Sequence, residues 1–279
     1  MPLPNVIIAG APKCGTSSLY FWLAAHPKAC ASKQKETFFF ADDISRFNRE
    51  SNFIEHGLTA YEQHFSYCDG ADIVFEATAA YIYHKRALQE IPNLESKPKV
   101  VFILRNPSKR IMSQYLFEKY RTQRISGSLQ EYVQEEGILD HGKYIEYLKP
   151  WKEALGDGRM EVLVLEEMLQ DLPKTMGELA ERLGLEGAFY SDFDFSVRNE
   201  TVKIKKKWLH QWGLKIQPLI PHWIQKKLLP MYLSVNSGGK PQASEKDLEY
   251  YKTHLLNYYE DTNKELFAFL GRELKQWNG

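Results

Sequence analysis

The sequence has no excess of either charge, few cysteines and no long apolar run. Lys and Arg together number 36, as do Asp and Glu, so no overall field attracts nucleic acid or a membrane surface. The three cysteines, Cys14, Cys30 and Cys68, are odd in number and lack metal-ligand spacing, which predicts free thiols in a reducing compartment. No stretch reaches membrane-spanning length and no signal-peptide pattern opens the chain, so we expect a cytoplasmic location without a metal or a membrane span.

The clearest motif is a strand, a tight loop and a helix predicted over Val6 to Leu19. An apolar run leads into the loop Gly10 to Gly15, and three hydroxyl residues then open the helix: Thr16, Ser17 and Ser18. Backbone N–H groups at a helix N-terminus converge on one spot, and the helix dipole favours an anion there. Because Lys13 adds a positive charge, the pattern predicts a phosphate cradle. A strand-turn-helix with chance glycines is the alternative.

The glycine spacing is that of a P-loop, but the lysine is displaced. An ATP-binding loop carries Lys and then Ser or Thr after its second glycine, whereas Thr16 and Ser17 follow Gly15 here. In nucleotide hydrolases that lysine reaches the outer phosphates, so its absence weakens a kinase or ATPase interpretation, which stays as an alternative. A lysine inside the loop, at Lys13, suits a donor that has one group to transfer and needs no metal.

A second strand-to-helix junction is predicted over Lys99 to Tyr115. The apolar strand ends in Arg105, Asn106 is a good N-cap and Pro107 suits the first helical position. Arg105 and Ser113 could reach one anion while Arg110 covers its side. The alternative is an ordinary helix start with surface arginines, but two such junctions in one sheet favour a ligand with phosphates at both ends.

Three further residues are candidates for proton transfer or ligand contact. Glu36 precedes three phenylalanines and could be presented beside the cradle, unless this segment is aromatic core with a solvated charged face. Glu76 ends an apolar strand, where ligand groups collect in open α/β sheets, and it could equally accept hydrogen bonds from a loop. His141 is a rival base, although a surface histidine at a helix start is the favoured interpretation.

The alternation of strands and helices over 279 residues predicts one α/β domain with a parallel sheet and helices on both of its faces. The Lys- and Trp-rich segment 203–235 is predicted to be a helical cap, with a membrane-surface helix as the alternative. The loop from Asn236 to Pro241 carries Lys240 and either closes on a ligand or is a plain surface turn.

These motifs resemble those of sulfotransferases that use 3′-phosphoadenosine 5′-phosphosulfate (PAPS). The segment from Gly10 to Leu19 resembles their 5′-phosphosulfate loop, and Arg105 to Tyr115 resembles their 3′-phosphate motif. Lys35 to Phe39 is similar to the segment with the catalytic glutamate in the heparan-sulfate-type and related bacterial branch. The likeness covers nearly the whole chain and implies a three-layer, P-loop-like α/β fold with a central parallel sheet flanked by helices, in a single domain over residues 1–279.

The resemblance also implies PAPS as donor and in-line transfer of a sulfonate to a hydroxyl or amine of a small molecule or glycan. Lys13 would stabilise the sulfonate and the leaving oxygen, and Glu36 would be the general base. The implied donor-binding residues are Lys13, Cys14, Gly15, Thr16, Ser17, Ser18, Arg105, Ser113 and, in a late basic loop, Lys240. A nucleotide-binding protein without activity is a further alternative.

The chain departs from the heparan-sulfate enzymes after the third strand. Those enzymes have Glu-Lys-x-Pro, whereas Glu76 is followed here by Ala77, Thr78 and Ala79, so a lysine that helps the transfer has no counterpart. The acceptor pocket is expected from Asp42 to Tyr67, Tyr81 to His84, Ser113 to Gly142 and the cap. The carboxylates Asp42, Asp43 and Glu76 allow a cationic acceptor, and the aromatic residues allow a planar one.

Overall fold

The computed structural model describes residues 3–195 and 241–277. Its centre is a sheet of five parallel strands in the order β2-β3-β1-β4-β5. The strands are Val6–Gly10 (β1), Ala29–Ala31 (β2), Ile73–Ala77 (β3), Lys99–Leu104 (β4) and Met160–Val164 (β5). The strands β2 and β3 lie on one side of β1, and β4 and β5 lie on the other side. The strand order therefore reverses at β1, and open α/β sheets bind ligands at such a switch point.

Burial of the central strands confirms the layered architecture. Every residue of β1 and β3 is buried, and so is β4 after its first residue. Successive side chains of a strand point to opposite faces, so complete burial requires cover on both faces of the sheet. A second apolar cluster forms around Ile111, Tyr115, Leu129 and Tyr259, beside the main core.

Helices of the described residues follow the strands in alternation. They are Thr16–Ala24 (α1), Phe53–Glu62 (α2, interrupted at Gly57), Lys85–Glu90 (α3), Pro107–Phe117 (α4), Leu129–Tyr132 (α5), Tyr144–Leu155 (α6), Leu165–Met168 (α7), Leu172–Leu183 (α8), Glu245–Tyr250 (α9) and Glu260–Leu270 (α10). The predicted N-cap is confirmed, since Asn106 caps α4, and Ser244 forms a capping box with Asp247 at the start of α9.

The expectation of three free thiols is wrong. Cys30 of β2 and Cys68 form a disulfide that spans 38 residues of sequence, and only Cys14 is free. The odd count concealed the pair, because sequence cannot show that the edge strand β2 brings these two positions together. Within residues 3–195 and 241–277, no helix combines the length and apolar character needed to cross a membrane. The cap at 203–235 and Lys240 lie outside the described residues.

Candidate functional site

A cleft of about 690 Å³ opens where the carboxyl ends of the strands meet. Its walls come from the loop after β1, the segment after β3, α4 and the region following β5. Eight of the residues singled out from the sequence line it together: Lys13, Gly15, Thr16, Ser17, Ser18, Glu36, Arg105 and Ser113. The two strand-to-helix junctions therefore face one space, as their order in the sequence predicts.

The loop after β1 needs glycine for two separate reasons. Gly15 caps α1 with φ 97°, a left-handed conformation that side chains rarely adopt, and an added Cβ would lie 3.0 Å from the side chain of Leu165. At Gly10, an added Cβ would lie 2.7 Å from the Cβ of Ile82. The first four N–H groups of a helix have no partner inside it, so the start of α1 presents donors to the cleft.

Lys13 is a desolvated cation held within this loop. Its Nζ lies 3.9 Å from the centre of the Phe117 ring, which gives a cation–π contact with α4. Burial, together with the nearby Arg105 guanidinium, lowers the pKa of Lys13 to about 8. A cation in such a position is stabilised strongly by any anion that enters the cleft.

Arg105 is fixed through its backbone, while its guanidinium faces the loop. The carbonyl of Arg105 accepts a hydrogen bond of 2.9 Å from the Tyr144 hydroxyl, and its Nη1 donates to the Lys13 carbonyl at 3.4 Å. Asn106 then starts α4 by accepting from the Lys109 N–H at 3.2 Å. The helix carries Ser113 to the same cleft, so a guanidinium and a hydroxyl converge with the N-terminus of α1.

Glu36 lines the cleft from the loop that follows β2, and this loop is hydrogen-bonded to β3. Its N–H donates to the Ala77 carbonyl at 2.9 Å, and its backbone is left-handed, with φ 61°. Lys35 Nζ lies 3.4 Å from a Glu36 carboxylate oxygen, and the Glu36 side chain is 37% exposed. Glu36 therefore presents a solvent-accessible carboxylate to the cleft.

Two residues of the sequence motifs turn away from the cleft. The Cys14 side chain is buried, with its Sγ 3.6 Å from the Tyr144 hydroxyl, and its N–H donates to the Ala11 carbonyl. Burial raises the pKa of this thiol to about 11. The expectation that Arg110 covers the anion is wrong, because its guanidinium is buried and donates to Gln114 Oε1 at 2.7 Å and to the Ile138 carbonyl at 3.2 Å.

His141 and Glu76 do not line the cleft. The His141 ring stacks on Tyr83 at 3.9 Å, and burial with the nearby Arg110 lowers its pKa to about 4. Glu76 is fully buried and accepts hydrogen bonds from the hydroxyls of Tyr61, Thr37 and Thr78. Burial raises the pKa of Glu76, whereas these hydroxyls oppose the rise. Of the two interpretations that the sequence left open, the buried structural acceptor is the observed one.

The carboxylates proposed for a cationic acceptor are mostly engaged within the protein. Asp42 accepts from the backbone N–H groups of Lys85 and Arg86 at 3.1 and 2.8 Å, at the start of α3, and these bonds lower its pKa. Glu76 is also buried and hydrogen-bonded, whereas the Asp42 side chain is 37% exposed and Asp43 is exposed. Two of the three carboxylates therefore accept hydrogen bonds within the protein, and this weakens the case for a cationic acceptor.

The cleft wall includes residues of the stretch Ser113 to Gly142, which was expected to help form the acceptor pocket, and other residues that the sequence did not indicate. Its remaining lining residues are Pro12, Trp22, Ala79, Gln114, Phe117, Glu118, Arg121, Leu165, Met168, Leu169 and Leu172. Phe117 ends α4 and Arg121 lies in the π-helical turn Glu118–Thr122 that follows it, and both belong to that expected stretch. The apolar group around Leu165 carries no comparable signal, because it resembles ordinary core.

Comparison with known proteins gives a consistent result. A family model described as the sulfotransferase domain matches residues 3–209. A membrane-associated sulfotransferase, kil1, of Dictyostelium discoideum is 26% identical over 170 residues, which are 56% of this chain and 34% of that protein. The mouse bifunctional heparan sulfate N-deacetylase/N-sulfotransferase 4 is 23% identical over 301 aligned residues, covering 99% of this chain and 31% of that protein.

The fold has a solved counterpart in a sulfotransferase from Alicyclobacillus acidocaldarius. That structure superposes with a TM-score of 0.69 at 21% identity and covers 100% of both chains. This likeness concerns the fold, and the present chain spans about a third of the length of the two curated relatives. Because the family model covers well over half of the 279 residues, this chain belongs to the sulfotransferase domain family.

Proposed function

We propose that this chain transfers a sulfonate group from PAPS to a hydroxyl or amine of a small-molecule or carbohydrate acceptor. One observation carries the proposal: Lys13, Arg105 and Glu36 line a single cleft with the N-terminus of α1. Membership of the sulfotransferase domain family supports it. The order of the two phosphate motifs in the sequence agrees with the same donor.

The residues of the cleft fit a donor with phosphates at both ends. The N-terminus of α1, with Thr16, Ser17 and Ser18, would hold the 5′-phosphate, because its N–H groups and dipole favour an anion. Gly15 has no side chain, so the loop backbone can lie close to Leu165. Arg105 and Ser113 would hold the 3′-phosphate by charge-assisted hydrogen bonds, because the phosphate is ionised.

An apolar wall beside the cradle suits the adenine ring. It consists of Trp22, Leu165, Met168, Leu169 and Leu172. Leu169 is 57% exposed, which leaves apolar surface that a planar base could cover. The wall adjoins the cradle directly, since Leu165 lies against Gly15. We therefore assign the purine to this side of the cleft.

The transfer needs a base and a preorganised positive field. PAPS supplies the sulfonate group. Glu36 takes the proton of the acceptor hydroxyl or amine, because neither group is a strong nucleophile in its protonated form. Lys13 stabilises the negative charge that develops on the oxygen between sulfur and the departing phosphate, and its dry surroundings strengthen that effect.

The wider assignments of the sequence analysis stay part of this proposal. The single transferase domain over residues 1–279 and the donor contact of Lys240 stay predictions from the sequence, and Lys240 lies outside the described residues. Neither a nucleic acid partner nor a metal is invoked. A cytoplasmic location stays a prediction from the sequence, and the Cys30–Cys68 disulfide removes the thiol argument for it.

The test is direct. The purified chain is incubated with PAPS and a mixed panel of metabolites and glycans, and mass spectrometry detects any acceptor that gains a sulfonate. We expect adenosine 3′,5′-bisphosphate (PAP) to accumulate in step with a sulfonated product. Magnesium-dependent phosphorylation from ATP would instead favour the kinase alternative. Tight PAP binding without any transfer across the panel would favour the nucleotide-binding alternative.

A further inference from the structure

A strained loop carries Glu36. Glu36 and Phe38 have φ values of 61° and 50°, a left-handed region that non-glycine residues rarely occupy. Such a backbone conformation is strained and persists only where the surroundings hold it. The direction in which the Glu36 carboxylate points therefore depends on what fixes this loop from outside.

A chain of hydroxyl groups fixes the loop from one side. The Phe40 N–H donates to the Tyr81 hydroxyl at 3.2 Å, and the Tyr81 and Thr37 hydroxyls lie 3.0 Å apart. Thr37 Oγ1 also accepts from the Phe39 N–H at 3.2 Å, and it donates to Glu76 Oε2 at 2.8 Å. The N–H groups of Phe39 and Phe40 are thus linked to the Glu76 carboxylate through the hydroxyls of Thr37 and Tyr81.

The Glu76 carboxylate has further contacts, with Thr78, which also bonds the loop, and with Tyr61. Thr78 Oγ1 donates to Glu76 Oε2 at 2.9 Å and accepts from the Phe38 N–H at 3.4 Å. On the other carboxylate oxygen, Oε1 accepts from the Tyr61 hydroxyl. Three donors therefore need an acceptor-only group at this position, and an amide would turn an N–H₂ group toward at least one of them.

We propose that Glu76 is a positioning residue that holds the Glu36 loop, so that the Glu36 carboxylate faces the cleft. This inference rests on the proposed function, in which Glu36 is the base. Glu76 itself is fully buried and outside the cleft lining, so it does not touch the substrates. It acts through Thr37, Thr78 and the backbone N–H groups of residues 38–40.

The experiment compares Glu76→Gln with a matched control, Asp247→Asn. Asp247 is also a buried carboxylate, 3% exposed, that accepts hydrogen bonds from the hydroxyls of Tyr115 and Ser244 and from the Leu129 N–H. It belongs to the region of the second apolar cluster rather than to the Glu36 loop. Both exchanges remove one acceptor from a buried network, so a general loss of stability affects both variants.

Three readouts separate positioning from a general structural role. We expect Glu76→Gln to lower kcat roughly 10- to 100-fold, because a small displacement of a catalytic group costs about that much. The KM for PAPS should stay within about twofold, since the cradle is untouched. Combined with Glu36→Gln, it should cause almost no further loss, because the two changes remove one effect. Asp247→Asn should leave kcat close to that of the unaltered chain.

Hydrogen exchange tests the inference without any turnover. The amides of residues 36–40 should exchange at least about tenfold faster in Glu76→Gln than in Asp247→Asn. Unchanged protection of these amides would overturn the inference, as would an additive loss of kcat in the double variant. If the unaltered chain transfers no sulfonate, the proposed function fails, and the exchange data still decide whether Glu76 holds the loop.

A second pair of variants covers the case in which Glu76→Gln does not fold. Thr37→Val removes the hydroxyl that links the loop to Glu76, whereas Thr37→Ser keeps it at nearly the same position. We expect Thr37→Val to lose kcat and amide protection and Thr37→Ser to retain both. Equal behaviour of the two variants would show that side-chain packing, rather than the link to Glu76, holds the loop.

Discussion

The two sides of the cleft are built in different ways. The donor side depends on the start of one helix and on Arg105 and Ser113, which follow β4 directly along the chain. The Glu36 side depends on a left-handed loop that is held by hydroxyls of Tyr61 and Tyr81 and by the buried Glu76. The groups of the donor side therefore come from two strand-to-helix junctions, supported by contacts such as that of Tyr144 with Arg105, whereas the direction of the Glu36 carboxylate depends on a loop that distant hydroxyls hold. Mutations should separate the two.

The strongest test of this separation is Glu36→Gln. Loss of a general base lowers turnover by about 10²- to 10⁴-fold, and we expect kcat to fall in that range. PAP affinity, measured by calorimetry, should stay unchanged because the donor side is intact. Asp43→Asn, which alters an exposed carboxylate of the same segment, is the control and should retain normal kcat. Near-normal turnover in Glu36→Gln would remove Glu36 as base.

The converse test is Arg105→Ala on the donor side. A hydrogen bond to a charged group contributes about 1.5–3 kcal/mol, so PAP should bind roughly 10- to 100-fold more weakly. Adenosine 5′-monophosphate lacks the 3′-phosphate and should lose little affinity. Lys109→Ala removes an exposed cation from the first turn of α4, four residues after Arg105, and serves as control. Equal losses for both nucleotides would reject the assignment of Arg105 to the 3′-phosphate.

Lys13 belongs to the donor side, and its titration offers a third test. Its pKa is lowered to about 8 in the free protein, and an entering anion favours the charged form. PAP affinity should therefore be full below pH 8 and fall as the pH rises through that value, by roughly tenfold between pH 7 and pH 9. Lys13→Met should bind PAP more weakly with a flat profile over this range. A profile of unchanged steepness in Lys13→Met would assign the titration to another group.

Local patterns in the sequence predicted several of the strands and helix starts that surround the cleft. The strands β1, β3 and β4 are apolar runs that the sequence indicated, and Asn106 and Pro107 marked the start of α4. The strand Ala29–Ala31 escaped detection because it has three residues of intermediate burial at the edge of the sheet. Such a short segment carries no periodic signal.

Tertiary features could not be predicted in the same way. The sequence suggested Glu36 as a base but could not show its left-handed backbone, which depends on partners about 40 residues away. The role of Glu76 stayed open for the same reason. The direction predicted for the Arg110 side chain was wrong, because a helix start alone does not specify which face of the helix packs against the core. Contacts between distant segments decide all three cases.

The smallest effect on the donor side is expected from removal of the disulfide. The segment closed by Cys30 and Cys68 contains Glu36 and Tyr61, whereas the cradle, Arg105 and Ser113 lie outside it. The variant with Cys30→Ser and Cys68→Ser should lose about 2–4 kcal/mol in the free energy of unfolding, measured by denaturant titration. Its PAP affinity at 25 °C should change by less than about twofold, because the donor side keeps all of its contacts.

Reduction of the unaltered chain provides the matched control for this variant. Chemically reduced protein and the double serine variant should agree in stability and in PAP affinity, since both lack the same covalent link. On warming, turnover should be lost at a lower temperature than PAP binding, because the loosened segment is the one that carries Glu36 and also Tyr61, whose hydroxyl donates to Glu76. A parallel loss of turnover and PAP binding would mean that the two sides of the cleft unfold as one unit, and their separate construction would then have no consequence for function.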